Sequence, residues 1–215
     1  MDRFEHLSMV AFLILGLALV RLMTNMTSLV SKDIIAEDLE AEFGIEDAKH
    51  HESHYDVSNV EFYWVHTVFV IITTFTIILF WWTYYPLNNL EFFPDERWNL
   101  FTYLLFLAVP ILMFMLCETL APKNHQNFNV NMKRYWYRYH RIILGLAWLL
   151  QLFLVFNLLV FFQEPWYSIK LVGRYLMLCI MAPMVIYPNQ RLHETAMVIF
   201  FVGFLYIIFK YHIYS

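Results

Sequence analysis

Six apolar stretches of about twenty residues follow one another along the chain, and shorter polar segments separate them. Because an α-helix rises about 1.5 Å per residue, such a stretch is long enough to cross the ~30 Å hydrocarbon layer of a bilayer. The pattern therefore predicts an all-α, polytopic integral membrane protein with six transmembrane helices. We expect these helices at residues 4–29, 59–86, 97–120, 135–162, 168–187 and 190–211.

The second stretch carries its own signals for the start of a helix. Ser58 and Glu61 form an S-x-x-E capping box, and Val57 and Phe62 have the spacing of a hydrophobic staple. Aromatic residues cluster at both ends of the stretch, as is typical where a helix meets the two membrane surfaces. The second helix is therefore predicted to begin at about Asn59.

The segment 31–57, between the first two stretches, is acidic and has a different periodicity. Ile35, Leu39 and Phe43 recur at helical spacing, and Gly44 follows them as a residue that commonly ends a helix. This pattern predicts a short amphipathic helix that lies on the membrane surface.

A run of histidines follows that surface helix. His50, His51 and His54 lie close together, with Glu46 one turn before His50, and neutral imidazoles and carboxylates at such spacing can bind Zn²⁺ or a similar ion. A solvated polar linker gathers the same residue types, and it is the simpler interpretation.

Composition supports a single membrane domain and narrows the range of partners. The 215 residues are 60% hydrophobic and 15% charged, against about 25% charged in an average soluble domain. Because no basic tract is present, nucleic acid is not expected as a partner. Cys117 and Cys179 both fall inside apolar stretches, which favours packing over a disulfide. The expected partners are the lipid bilayer and a second copy of the chain or another membrane protein.

Loop charge predicts how the protein sits in the membrane. The first, third and fifth loops carry more Lys and Arg than the termini and the even-numbered loops do. Positively charged loops tend to remain in the cytoplasm, so both termini are predicted to lie outside. The general likeness to small six-helix bacterial membrane proteins leads us to expect the bacterial inner (plasma) membrane.

The alternating directions of the six helices bring several polar residues to one membrane face. The first and third helices end there, and the second, fourth and sixth helices begin there. His66 is the deepest of these residues, and intramembrane ionisable groups are candidates for function. The other members also suit ordinary anchoring at the membrane surface. The predicted polar cluster contains Arg21, His66, Glu118, His140, Arg141, His193 and Glu194.

Three classes of function fit this cluster. In an oligomeric small-ion or proton channel or transporter, His66 would be a titratable gate, with Thr73 two turns deeper and Gln151 supplied by the fourth helix. Alternatively, the protein is a non-catalytic subunit or sensor of a larger membrane complex. In the third class, two histidines on facing helices ligate haem or a metal in a membrane oxidoreductase. Motifs such as HExxH and CxxCH are absent, which argues against an enzyme without excluding one.

Overall fold

The computed structural model describes residues 3–51, 60–84, 87, 97–122 and 130–210. Within these residues the protein is all-α with six long helices, as the apolar pattern predicts, and each helix is long and apolar enough to cross a membrane. The helices are α1 (Arg3–His51), α2 (Trp64–Tyr84), α3 (Leu100–Leu120), α4 (Met132–Val160), α5 (Ile169–Ile186) and α6 (Gln190–Ile208).

Helix α2 begins at Trp64 and not at Asn59, because a tertiary contact occupies the residues before it. Val60–Glu61 forms a two-residue strand, β1, that pairs in parallel with β2, Val130–Asn131. The Glu61 carboxylate accepts a hydrogen bond from the Asn131 side chain and does not cap a helix. The predicted capping box is therefore wrong at Glu61, and its other member, Ser58, lies outside the described residues.

Helix α1 is longer than the sequence predicts. It runs for 49 residues, from the first span through the acidic segment to His51. The helix does not end at Gly44, because a glycine lowers helix stability by only about 1 kcal/mol and so permits a helix end without enforcing one. The position of the acidic segment on the membrane surface stays a prediction.

Helix α3 starts with a capping box that the sequence pattern did not reveal. The Asn99 side chain accepts a hydrogen bond from the Thr102 backbone N–H at 3.0 Å, and the Asn99 N–H donates to the Thr102 hydroxyl at 2.9 Å. Two of the N–H groups that a helix start leaves without partners are satisfied in this way. Helix α3 therefore begins at Leu100, a few residues after the predicted boundary at residue 97.

The cap on α3 gives a first testable prediction. Replacing Asn99 by alanine is expected to lower the free energy of unfolding by about 1 kcal/mol, because the Thr102 N–H loses its acceptor. Unfolding by SDS in mixed micelles, followed by circular dichroism, measures this loss. Asn99→Ser keeps a capping oxygen and serves as the control. A variant Asn99→Ala as stable as Asn99→Ser would contradict the role of the cap.

The helices do not contribute equally to the core. Helix α3 packs between α1 and α4, α4 also packs against α5, and α6 packs mainly against α2. In the most apolar segment of each helix, half of α3 is buried, but only 17% of α5 and 22% of α6. Helices α5 and α6 therefore form the periphery, and their exposed apolar side chains suit contact with lipid or another protein.

Candidate functional site

Three buried histidines from three helices surround one tryptophan. The Trp136 ring on α4 lies 6.0 Å from the His66 ring on α2 and 6.2 Å from the His193 ring on α6, measured between ring centroids. The His140 ring, one turn further along α4, lies 5.7 Å from the His193 ring. All four side chains are buried. We call His66, Trp136, His140 and His193 the histidine cluster.

His193 uses both ring nitrogens to join three helices. Its Nδ1 accepts a hydrogen bond from Trp136 Nε1 at 2.9 Å, so in the neutral ring the proton must be on Nε2. That Nε2–H donates to the carbonyls of Tyr187 at 3.0 Å and Met184 at 3.1 Å, where α5 ends. His193 therefore fastens the start of α6 to α4 and to the end of α5.

His66 is bonded to the end of a neighbouring helix. Its Nε2–H donates to the carbonyl of Leu120, the last residue of α3, at 2.5 Å. The carbonyls of the last helical turn have no partner within their own helix, so a side chain from α2 satisfies one of them here. This bond gives His66 a structural task that the sequence-based hypothesis of a gate did not include.

His140 differs from the other two histidines because one of its nitrogens is buried without a partner. Its Nδ1–H donates to the Tyr137 carbonyl at 2.7 Å, which leaves a lone pair on Nε2. Within the described part of the chain, no group forms a hydrogen bond to this Nε2. An unsatisfied buried polar atom costs about 1–3 kcal/mol, so the nitrogen is open for a proton, a water molecule or another ligand.

Two tyrosines lie beside the histidine cluster, with the Tyr137 ring 5.4 Å from the His193 ring between centroids. The hydroxyl groups of Tyr63 and Tyr137 lie 3.0 Å apart, and the Tyr63 hydroxyl points to the Glu194 carboxylate at 3.5 Å. The exposed side chain of Gln190 also donates to Glu194, at 2.7 Å. Burial, and after it the hydrogen bond to Tyr137, raises the pKa of Tyr63 above its ordinary value. Its hydroxyl therefore stays protonated at neutral pH and can donate.

The remaining residues of the predicted polar cluster lie apart from the histidines. Arg21 and Glu118 form an ion pair between α1 and α3, with 2.8 Å between Arg21 Nε and Glu118 Oε1. Arg141 is exposed. The predicted set thus divides into a buried group of His66, His140 and His193, the carboxylate of Glu194 that is bonded to Tyr63 and Gln190, a separate ion pair, and an exposed charge.

The two predicted residues at greater depth have local partners of their own. The buried Thr73 hydroxyl donates to the Phe69 carbonyl of its own helix at 2.9 Å. Gln151 lies on α4 about three turns beyond His140, which corresponds to about 16 Å along the helix axis. Its side-chain oxygen accepts a hydrogen bond from Arg174 Nη1 on α5 at 2.8 Å. Gln151 therefore belongs to a second polar site, near the opposite membrane face.

Four residues that form the contacts described above were not among the site residues predicted from the sequence. Arg174 had a usable signal, since it is a charged residue inside an apolar span. Trp136, Tyr63 and Tyr137 had none, because aromatic residues at those positions look like an ordinary membrane-interface belt.

The positions of possible ligand side chains allow the hypotheses of a bound metal or haem to be assessed for the described residues. Within that part of the chain, no group of three or more His, Cys, Asp or Glu side chains is placed to hold a metal ion. Ligation by His140 and His193 together would require His193 to give up its bonds to Trp136 or to the carbonyls of α5. The predicted metal ligands His50, His51 and His54 lie outside the described side chains, so that site stays a prediction.

The lengths and apolar composition of the six helices in the described ranges indicate the class of protein, an integral membrane protein. No protein-family model matches the chain, and no match is found among curated proteins or solved structures. The case for a particular function therefore rests on the site geometry.

Proposed function

We propose that the protein is a channel or transporter for protons or small ions, and that His140 is the group that takes up and releases the proton. The observation that carries this proposal is the buried His140 Nε2, which has no hydrogen-bond partner among the described residues. Imidazole is the side chain that most readily exchanges a proton near neutral pH. The proposal therefore moves the titratable gate from His66, whose Nε2 is bonded to Leu120, to His140.

A polar route from the surface supports this assignment. Glu194 is partly exposed, and the Tyr63 and Tyr137 hydroxyl groups continue from it into the bundle. The Tyr137 ring lies 5.4 Å from the His193 ring, which lies 5.7 Å from the His140 ring, measured between ring centroids. A proton collected at Glu194 can pass between hydroxyl groups to the neighbourhood of His140, with water completing the last step.

Between His140 and Gln151, the face of α4 that carries both residues is apolar. Leu144 and Ala147 lie on the same face of α4 as His140 and Gln151, and both are buried. Apolar side chains along a proton path can gate it by admitting or excluding water. A path with so few polar groups suits protons or small ions better than sugars or amino acids.

The protein is proposed to assemble as an oligomer in the membrane. The low burial of α5 and α6 supports an oligomer, because their exposed apolar faces offer contact area for a second copy. The same faces would suit a partner protein, which supports the alternative of a non-catalytic subunit or sensor. We further propose the bacterial inner (plasma) membrane as the location, and the excess of Lys and Arg in the odd-numbered loops supports an orientation with both termini outside.

The test of proton passage is flux into liposomes that contain the purified protein and a pH-sensitive dye, driven by a potassium gradient and valinomycin. His140→Leu is expected to lower the proton flux at least about tenfold, because leucine cannot carry a proton. Its free energy of unfolding should be unchanged or higher, since the variant removes an unsatisfied buried nitrogen. Loss of flux with retained stability separates a proton carrier from a structural residue.

The matched control is Arg141→Gln, which changes an exposed residue next to His140 and should leave the flux unchanged. Equal flux in the wild type and His140→Leu, or no flux in the wild type, would overturn the proposal. An absorption spectrum of the same sample tests the oxidoreductase alternative, since bound haem gives a Soret band.

A further inference from the structure

Arg174 is a charged residue inside a membrane span. It lies on α5 about 8 Å along the helix axis from the start at Ile169, and it is partly buried. Its Nη1 donates to the side-chain oxygen of Gln151 on α4 at 2.8 Å. A guanidinium group keeps its proton in proteins, so the positive charge cannot be removed by titration.

The described residues provide no carboxylate to balance this charge. The carboxylate of Glu164, just before α5, already forms an ion pair with Lys170 at 2.5 Å. The other ion pair among the described residues joins Arg21 to Glu118, near the opposite membrane face. Among the described residues the hydrogen-bond partner of Arg174 is therefore a neutral amide, and a charge without a counter-charge is costly at membrane depth.

The surroundings of Arg174 are rich in hydrogen-bond donors. A guanidinium has several N–H groups, and the bond to Gln151 uses one of them. The Gln151 amide group adds N–H donors, for which the described residues supply no acceptor. The Tyr84 hydroxyl, within electrostatic range of Arg174, accepts from Asn157 at 2.9 Å and keeps its own hydrogen to donate. A positive charge with surplus donors, and with no carboxylate paired to it in the described part of the chain, has the chemistry of an anion site.

We propose that Arg174 and the Gln151 amide bind a small monovalent inorganic anion, such as chloride, between α4 and α5. The depth of the site favours a small ion over a lipid phosphate. Trp166 and Tyr167 are highly exposed just before α5 and mark the level of the membrane surface. Arg174 lies deeper than this level, whereas headgroup phosphates lie outside the hydrocarbon core. The site does not depend on the proposed proton passage through His140.

The test is the broadening of the ³⁵Cl NMR signal of chloride by the purified, delipidated full-length protein in detergent micelles. Arg174→Gln is expected to reduce the protein-specific broadening at least about tenfold, since the charge that holds the anion is gone. Lys170→Gln removes an equal charge one turn away and is the matched control. It should retain the broadening within about twofold, because Lys170 is neutralised by Glu164.

A second variant guards against misfolding of Arg174→Gln. Gln151→Glu places a carboxylate at the bonding distance from Arg174, so an internal ion pair should replace the anion. We expect this variant to stay folded by circular dichroism and to lose the chloride broadening. Broadening that persists in Gln151→Glu would overturn the proposal.

Two further measurements distinguish other sources of the negative charge. Phosphorus analysis reports phospholipid that remains bound after delipidation; stoichiometric lipid that Arg174→Gln removes, without chloride broadening in the wild type, would assign the site to a headgroup. Light scattering reports assembly; a wild-type oligomer that Arg174→Gln dissociates would assign the counter-charge to a second copy. Either result would overturn the proposal, and a lipid-free protein whose assembly does not change in Arg174→Gln supports it.

Discussion

Replacing Trp136 by alanine is expected to lower the free energy of unfolding by about 3–5 kcal/mol. The Trp136 side chain is fully buried and contacts the rings of His66, Phe69 and His193, so alanine would leave a large cavity where α2, α4 and α6 meet. The variant also removes the N–H that donates to His193. Both losses act at the same place, which is why this substitution should be among the most damaging in the chain.

Unfolding by SDS in mixed micelles measures this effect. Trp136→Phe keeps most of the ring volume and loses the hydrogen bond, so its loss should be smaller, about 1–2 kcal/mol. Trp82 is 69% exposed, and Trp82→Ala is the control for removing an indole without opening a cavity. Equal stability of Trp136→Ala and Trp82→Ala would show that the cluster does not hold the helices together.

Replacing His193 by leucine is expected to lower the free energy of unfolding by about 2–4 kcal/mol, because it leaves two buried groups without partners. The Trp136 N–H loses its acceptor and the Met184 carbonyl loses its donor, whereas the Tyr187 carbonyl keeps the Asn189 N–H. Leucine fills a similar volume, so most of the loss should come from hydrogen bonding and little from packing.

A double-mutant cycle isolates the bond between the two rings. Trp136→Phe and His193→Leu each break the same hydrogen bond, so the double variant should lose about 1 kcal/mol less than the sum of the single losses. Arg191→Gln changes an exposed residue of the same helix turn and should leave stability nearly unchanged. Strictly additive losses would contradict a direct Trp136–His193 bond.

These variants also separate the tasks of the three histidines. His66 and His193 donate to carbonyls at the ends of α3 and α5, so their substitution should mainly change stability. His140 has an unsatisfied nitrogen, so its substitution should change proton flux without lowering stability. Substitution of His140 and substitution of His66 or His193 are therefore expected to have opposite effects, and measurements of stability and of proton flux distinguish them.

The sequence alone determined the number of helices and the membrane face at which their polar ends meet. Both follow from local properties, since hydropathy adds up along a segment and the direction of the chain alternates with each crossing. This reasoning placed His66, His140 and His193 on three helices at one level. The structure then brings their side chains into one buried cluster around Trp136.

Only the tertiary structure decided what each polar residue does. The start of α2 depends on the pairing of β1 with β2, which joins segments far apart in the chain. Which histidine nitrogen stays open depends on how each helix is rotated about its axis and on which carbonyl its neighbour presents. Gln151 faces Arg174 and not the histidines for the same reason. Hydrogen bonds are directional contacts between segments, so a local pattern of apolar residues does not specify them.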